Sequence, residues 1–248
     1  MRSNVYFVRS GASWVLIDTA SAHGEREIEE AAEFVFGPNT PPAAILLTHD
    51  HPDHAGSTLA LAQTWGCWAY VHPDELPLVS MDPSTYLATV KQYANPLDRW
   101  LILPLLHLTP PKRRASMLAR SSFKEVARAF DPRAGAPGLP DWQCIPTPGH
   151  TPGHVSFFRS VDRILISGDA VLSVQLNSLW GFLQWGLRRS KPHLAGPPRY
   201  STWKWHVAKQ SIATLAQLEP RMLACGHGPV MTGRDTALAL RALADHVR

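Results

Sequence analysis

His49, His51, Asp53 and His54, within Thr48-His49-Asp50-His51-Pro52-Asp53-His54, set three imidazoles and a carboxylate within six residues. Imidazole nitrogen and carboxylate oxygen suit zinc, and also manganese or iron. The apolar run Ala43-Ala44-Ile45-Leu46-Leu47 just before them reads as a buried strand. Beyond them, Ala55-Gly56-Ser57 followed by Leu59, Leu61 and Ala62 reads as the start of a helix. The candidate ligands therefore occupy a strand-to-helix turn, where side chains from a short loop can converge on one point. A solvated histidine-rich loop is the bland alternative. The end of a buried strand is a costly place for so many polar groups unless something pairs them.

Three later positions complete the pattern. His150 lies in Thr147-Pro148-Gly149-His150, Asp169 in Ser167-Gly168-Asp169-Ala170, and His227 in Cys225-Gly226-His227-Gly228-Pro229. Each follows an apolar, strand-like segment: Gln143-Cys144-Ile145, Arg163-Ile164-Leu165-Ile166 and Met222-Leu223-Ala224. The ordered set resembles the metallo-β-lactamase-fold hydrolases, among them glyoxalase II-like thioesterases, lactonases, β-lactamases and some nucleases. The His-x-His-x-Asp-His core with all three later ligands in order is specific, whereas Gly-Asp or Gly-His-Gly alone is weak.

The resemblance implies an α/β fold, an αββα sandwich, with a dinuclear centre. His49, His51 and His150 would hold a first divalent ion, and Asp53, His54 and His227 a second, with Asp169 bridging them. Zinc is the first expectation for both ions, with manganese or iron as alternatives. A hydroxide shared by the ions would attack a carbonyl or phosphoryl centre, since even one zinc lowers the pKa of water to ~7. Asp53 would accept the nucleophile's proton, and no protein nucleophile is needed. Relatives often carry Asp-Thr-Gly where this chain has Asp18-Thr19-Ala20, and Asp18 is expected to support the ligands rather than bind metal. Relatives usually also carry a strand before the segment matching Asn4 to Val8. Either this chain is shortened, or that sheet edge is open.

Stepping outward to the elements, a hairpin is expected from Asn4–Val8 and Trp14–Ile17, turning at Ser10-Gly11. Glu25–Phe36 has the spacing of an amphipathic helix. Strands are expected over Trp68–Val71, His154–Phe158 and Ile164–Ile166. Helical spacing follows in Trp205, Ala208, Ile212, Leu215 and Leu218, and Thr232 with Asp235 would cap a last helix. The 248 residues, 45% hydrophobic and 18% charged, fit one domain over 1–248. No stretch approaches the roughly 20 apolar residues of a spanning helix, and the start lacks a signal peptide's apolar region. Three widely spaced cysteines do not form a disulfide framework. A cytoplasmic protein is the expectation, and Cys225 reads as a small buried residue rather than a ligand.

Between His54 and His150 lie 95 residues, more than a compact relative needs. The excess predicts an inserted lid around 85–140, with the apolar run from Trp100 to Leu108 at its centre. From Lys112 to Arg133 seven cations face two acids, a net +5 against +4 for the whole chain. Arg188, Arg189, Lys191, Arg199, Lys204 and Lys209 form a second basic stretch, near Trp180, Trp185, Trp203 and Trp205. An apolar wall with a cationic rim suits a small-molecule substrate with an apolar portion and a carbonyl or anionic head. Alternatively, the run completes the core or a homodimer interface and the cations are a solvated face. His154 could orient a ligand and Tyr200 could polarise a carbonyl; His72, His107, His193 and His206 read as ordinary.

Leu172 stands where some lactonases of the family carry a tyrosine, and no glutathione-contacting pattern is present. The reading is therefore a general metal-dependent hydrolase of an ester, thioester or lactone. A metal-dependent phosphodiesterase or nuclease using the basic regions and tryptophans is the first alternative, and promiscuous β-lactamase activity another. The non-enzyme alternative is a metal-stabilised peripheral-membrane or binding protein.

Overall fold

A computed structural model describes residues 3–178, 180, 181, 183 and 193–247. Strands β1 (Tyr6–Ser10) and β2 (Ser13–Ile17) form the expected hairpin, with Gly11 at φ +59° in its turn. Helix α1 (Glu25–Phe36) leads to β3 (Ala44–Leu46), which pairs parallel to β2. After α2 (Pro52–Ala55) and α3 (Thr58–Trp65), β4 (Ala69–Val71) extends this sheet. A helical excursion follows: α4 (Leu76–Ser80), α5 (Tyr86–Tyr93), a π-helical turn (Asp98–Ile102), α6 (Leu103–Leu108) and α7 (Pro111–Ser121). The chain then returns as β5 (Ala127–Ala129), giving a five-stranded sheet in the order β1-β2-β3-β4-β5.

The second sheet contains β6 (Gln143–Pro146), β7 (Val155–Arg159) and β8 (Ile164–Gly168). Helix α8 (Trp205–Gln217), β9 (Met222–Cys225), β10 (Met231–Thr232) and α9 (Asp235–Val247) complete it, in the order β10-β9-β8-β7-β6. Period-2 alternation on the strands explains the layering. Val15, Ile17, Ala44 and Leu46 face Val155, Phe157, Ile166 and Ala224 in a core between the sheets. Trp14, Leu16, Ile45 and Leu47 point outward to α1 and α3, while Leu165, Leu223 and Cys225 pack on Ile212, Leu215 and Leu240. This is the αββα sandwich.

Two local expectations are revised. Thr232 lies on β10 and the last helix begins at Asp235, where Thr236 N donates to Gly233 O over 3.3 Å. The excursion's helices run from Leu76 to Ser121 rather than over 85–140, and Phe123, Ala127, Ala136 and Leu139 beyond them are buried in the two cores. Trp185, Arg188, Arg189 and Lys191 lie outside the described residues.

Candidate metal centre

β2 and β3 run parallel, as do β8 and β9, so Asp18, His49, Asp169 and His227 all follow the C-terminal ends of strands. Val155 N donates to Thr48 O over 2.9 Å and stitches the sheets together beside these ends. Pro52 pre-sets the first turn of α2, so Asp53 and His54 stand on a helical turn rather than in the loop before a helix. The Gly149-His150 turn is held by the segment before α8, with Trp203 N donating to His150 O at 3.0 Å and Lys204 N to Gly149 O at 2.9 Å. Gly149 has φ +126°, and a Cβ there would strike the backbone of Ala208. A Cβ on Gly226 would strike Asp169 and His54, so glycine is what lets the His227 loop approach.

Three groups of convergent ligand atoms result: His49, His51 and His150; His49, His54 and Asp169; and Asp53, His54 and His227, each with atoms within 4.8 Å of one another. His227 Nε2 lies 3.3 Å from Asp53 Oδ2, 3.4 Å from Asp169 Oδ2 and 3.3 Å from His54 Nε2. Asp169 Oδ1 is 3.3 Å from His54 Nε2, and its Oδ2 is 3.5 Å from His150 Nε2. All seven residues singled out from the sequence meet here.

Hydrogen-bond direction assigns the imidazole tautomers. Asp18 accepts from Thr48 N at 2.8 Å and from Thr48 Oγ1 at 2.8 Å. Thr48 has then given up its single hydroxyl proton, so its oxygen accepts from His49 Nδ1 at 2.9 Å. Asp18 Oδ2 accepts from His54 Nδ1 at 2.8 Å. Likewise Thr202 Oγ1 donates to Pro198 O, so it accepts from His150 Nδ1 at 3.3 Å. His49, His54 and His150 thus each hold a proton on Nδ1; His49 and His150 aim an Nε2 lone pair at the centre, and His54 gains one when its second proton is displaced. His154 takes the opposite tautomer: its Nε2 accepts from Asp169 N at 3.0 Å, while Nδ1 donates to Thr147 Oγ1, which donates on to Ser156 Oγ. Asp18 and His154 are therefore supports, the first for a histidine and the second for the Asp169 backbone.

The residues fit a metal. Among the described residues, His49 Nε2, His150 Nε2 and Asp169 Oδ1 are buried without a hydrogen-bond partner, which is costly unless they ligate. Burial, reinforced by neighbouring imidazoles, holds His49 and His150 well below the usual histidine range, so both are neutral lone-pair donors. Burial disfavours ionisation of Asp53, yet its hydrogen bond to His227 and the adjacent imidazoles bring it down to about 2. Asp169 is likewise held well below the carboxylate range, against burial, by His227 and His54. In the bare protein His54 and His227 answer those carboxylates: burial opposes their charging, but Asp169 outweighs it and carries His227 up to about 9. The site calls for positive charge, which divalent cations would supply.

The centre forms one wall of a cavity of about 770 Å³, within the range of small-molecule pockets. Leu59, Leu78, Val90, Ile102 and Phe123 give it apolar walls, and Arg120, Tyr200 and Trp203 also line it. Sequence reasoning missed Glu75. This buried carboxylate accepts from Asp50 N at 2.9 Å and from Gly153 N at 2.6 Å, joining the His49–His54 turn to the His150 loop. Its partners are backbone amides, which no motif records. Burial, with Glu75 alongside, raises the Asp50 carboxyl well above the carboxylate range. Cys225 is buried in the outer core and joins no ligand group among the described residues. His107 is exposed on α6, bonded to Leu103 O.

Comparisons with known proteins agree with this fold. A profile of the metallo-beta-lactamase superfamily matches residues 1–227. The chain is 33% identical over 250 residues to the probable metallo-hydrolase YflN of Bacillus subtilis (strain 168), covering 99% of this chain and 88% of that protein. TTHA1623, solved in a di-iron-bound form, is 25% identical, with 94% and 91% of the two chains covered and a TM-score of 0.54. AidC, a dizinc quorum-quenching lactonase in complex with a product, is 15% identical with a TM-score of 0.59 over 92% and 72% of the chains, a likeness of fold alone.

Proposed function

Given that the chain belongs to the metallo-β-lactamase superfamily and is a metal-dependent hydrolase, we propose that it cleaves an ester, thioester or lactone in a small molecule with an apolar body. The observation that carries this reading is the convergence of seven ligand candidates, five buried and two half-buried, at the wall of a largely apolar cavity. His49, His51 and His150 would hold one divalent ion and Asp53, His54 and His227 another, with Asp169 between them. Zinc is the first choice and iron the second, in keeping with the dizinc and di-iron states of the fold neighbours. When bound, such ions supply Lewis acidity toward an electrophilic oxygen and lower the pKa of water.

The chain's own residues do the rest. Asp53, ionised and hydrogen-bonded to His227, is positioned to take a proton at Oδ2 during attack. Tyr200, raised by burial and by the nearby Asp53 and Asp169 charges, keeps its phenolic proton and would donate it to the substrate's oxygen. Leu172 is fully buried beside Val174 and Leu176, so that position supplies no phenol; Tyr86 and Tyr93 line the cavity too, and Tyr200 is the tyrosine that feels both the Asp53 and Asp169 charges. Val90 and Ile102 of the helical excursion line the cavity opposite the ligands, and we assign 86–121 as a cover that selects the acyl portion. Long insertions at such sites commonly serve this way.

The test is reconstitution with zinc or iron followed by turnover on chromogenic esters, thioesters, lactones, lactams and phosphodiesters. Hydrolysis confined to acyl substrates, improving with chain length, is the expected result. Preferential cleavage of phosphodiesters would replace this reading with the nuclease alternative.

A further inference from the structure

The helical excursion carries an apolar face that the cavity uses only at Leu97. Leu97, Trp100, Leu101, Leu105 and Leu108 are exposed by 39, 85, 56, 59 and 83%. Trp100 and Leu101 are neighbours and the others lie three or four residues from the pair or from each other, from Leu97 just before the π-helical turn through α6, forming one outward strip. On the inward side Ile102 lines the cavity and Leu106 is buried. Scattered exposed leucines are ordinary, but five in one strip with a tryptophan are not. This segment is apolar on its outer as well as its inner side, unlike a usual surface helix, whose solvent face is polar.

Apart from half-buried Asp98, which bonds to Asn95, the flanking charge has one sign. Arg99 to Ser121 contains five cations and no acid. Arg99, Lys112, Arg113 and Arg120 are exposed. Arg114 is spent on structure, its Nη1 donating to Leu106 O at 2.9 Å, which ties α7 to α6 as one unit.

We propose that this outer face docks on an anionic lipid surface, with Trp100, Leu101, Leu105 and Leu108 at the acyl boundary and Arg99, Lys112 and Arg113 against the headgroups. Amphipathic segments of this composition lie in the membrane interface. Two observations favour lipid over a second copy of the chain. A two-fold contact through the strip would bring two sets of the same cations together, with no acid between Arg99 and Ser121 to pair them. An anionic bilayer satisfies the apolar strip and the cations together. No helix among the described residues is long and apolar enough to cross a membrane, so contact is peripheral. Leu97 belongs both to the strip and to the cavity lining, which sets the cavity rim at the lipid boundary. Delivery of amphiphilic substrates from that boundary rests on the acyl-hydrolase reading; docking itself does not.

Co-sedimentation of the metal-loaded full chain with vesicles of phosphatidylcholine alone, or enriched in phosphatidylglycerol, tests this without reference to turnover. Binding is expected only to the anionic vesicles, weakening with salt. K112Q/R113Q should weaken it about thirtyfold, from typical headgroup attraction per cation, and W100S/L105S/L108S by at least about tenfold. Phe34→Ser, at another exposed apolar site on α1, should have no effect. Melting temperatures of all variants should stay near the parent, since the substituted side chains are exposed. Absence of binding by the parent overturns the proposal. So does a dimer that the W100S/L105S/L108S variant converts to monomer with vesicle binding intact, or binding to RNA and vesicles alike that this variant leaves unchanged.

Discussion

Asp18→Asn probes the support of the centre while barely changing its shape. Asp18 is buried and accepts from Thr48 N, Thr48 Oγ1 and His54 Nδ1. Its backbone sits at φ +59°, a conformation asparagine tolerates well, so the substitution brings no new strain. Asparagine has one acceptor oxygen where aspartate has two. If its NH₂ faces His54, the ring must move its proton to Nε2, which removes the lone pair from the centre. If the NH₂ faces Thr48, two buried N–H groups confront each other. Either outcome forfeits a hydrogen bond to a charged acceptor, about 1.5–3 kcal/mol, equivalent to roughly 10- to 100-fold in affinity. That range matches what the loss of outer partners of metal-binding histidines usually costs. Titration with zinc against a competing chelator should show weakening of this size at the Asp53–His54–His227 triad. The change at His49–His51–His150 should be smaller, because Asp18 reaches His49 only through the Thr48 hydroxyl and Thr202 holds His150 independently of it. Parent-like affinity at both sites would refute the tautomer reasoning. Equal losses at both sites with a lowered melting temperature would make Asp18 a folding residue instead.

The other expectations are more direct. His51→Ala and Asp53→Ala should each lose at least ~10²-fold in turnover, while His107→Ala and Cys225→Ser stay within about tenfold; similar activity in all four, at equal metal content, would undo the site assignment. Glu75→Ala strands the Asp50 and Gly153 amides, costing about 3 kcal/mol and lowering the melting temperature by about 6–12 °C, measured by calorimetry. His154 is held neutral by burial, down to about 3, so its contribution is present above the unfolded value near 6.5 and lost as pH falls. Melting of the metal-free protein should show that loss, on the order of 3 kcal/mol by pH 4, and His154→Asn should flatten it. His227 has the opposite sign: raised to about 9, it stabilises the metal-free protein below 6.5, and that contribution fades as pH climbs through 9. Val90→Ala and Ile102→Ala should shift preference among acyl-chain lengths without changing metal content, whereas Trp100→Ser should leave that preference alone.

The candidate set was legible from the His-x-His-x-Asp-His core, from the order of His150, Asp169 and His227 behind apolar, strand-like segments, and from the family resemblance that this order carries. Asp18 was legible as a support because the resemblance assigns every ligand position to another residue. Glu75 was not, since it acts on backbone amides 25 and 78 residues away. The run from Trp100 to Leu108 is apolar on every face, so periodicity alone cannot say that Ile102 lines the cavity while Trp100 and Leu108 look outward. β5 was hidden for a different reason. Ala127-Arg128-Ala129 is a three-residue edge strand with one buried residue, too short to carry an alternating pattern. Ordering of the Nδ1 protons on His49 and His150 depends on Thr48 and Thr202, and the second lies 52 residues from its histidine.

The dinuclear assignment is most directly tested by quantitative elemental analysis of the reconstituted protein beside His227→Ala. Two ions per chain in the parent and one in the variant, with His49, His51 and His150 retaining theirs, is the outcome the geometry predicts. A firm stoichiometry of one in the parent, unchanged by His227→Ala, would contradict it.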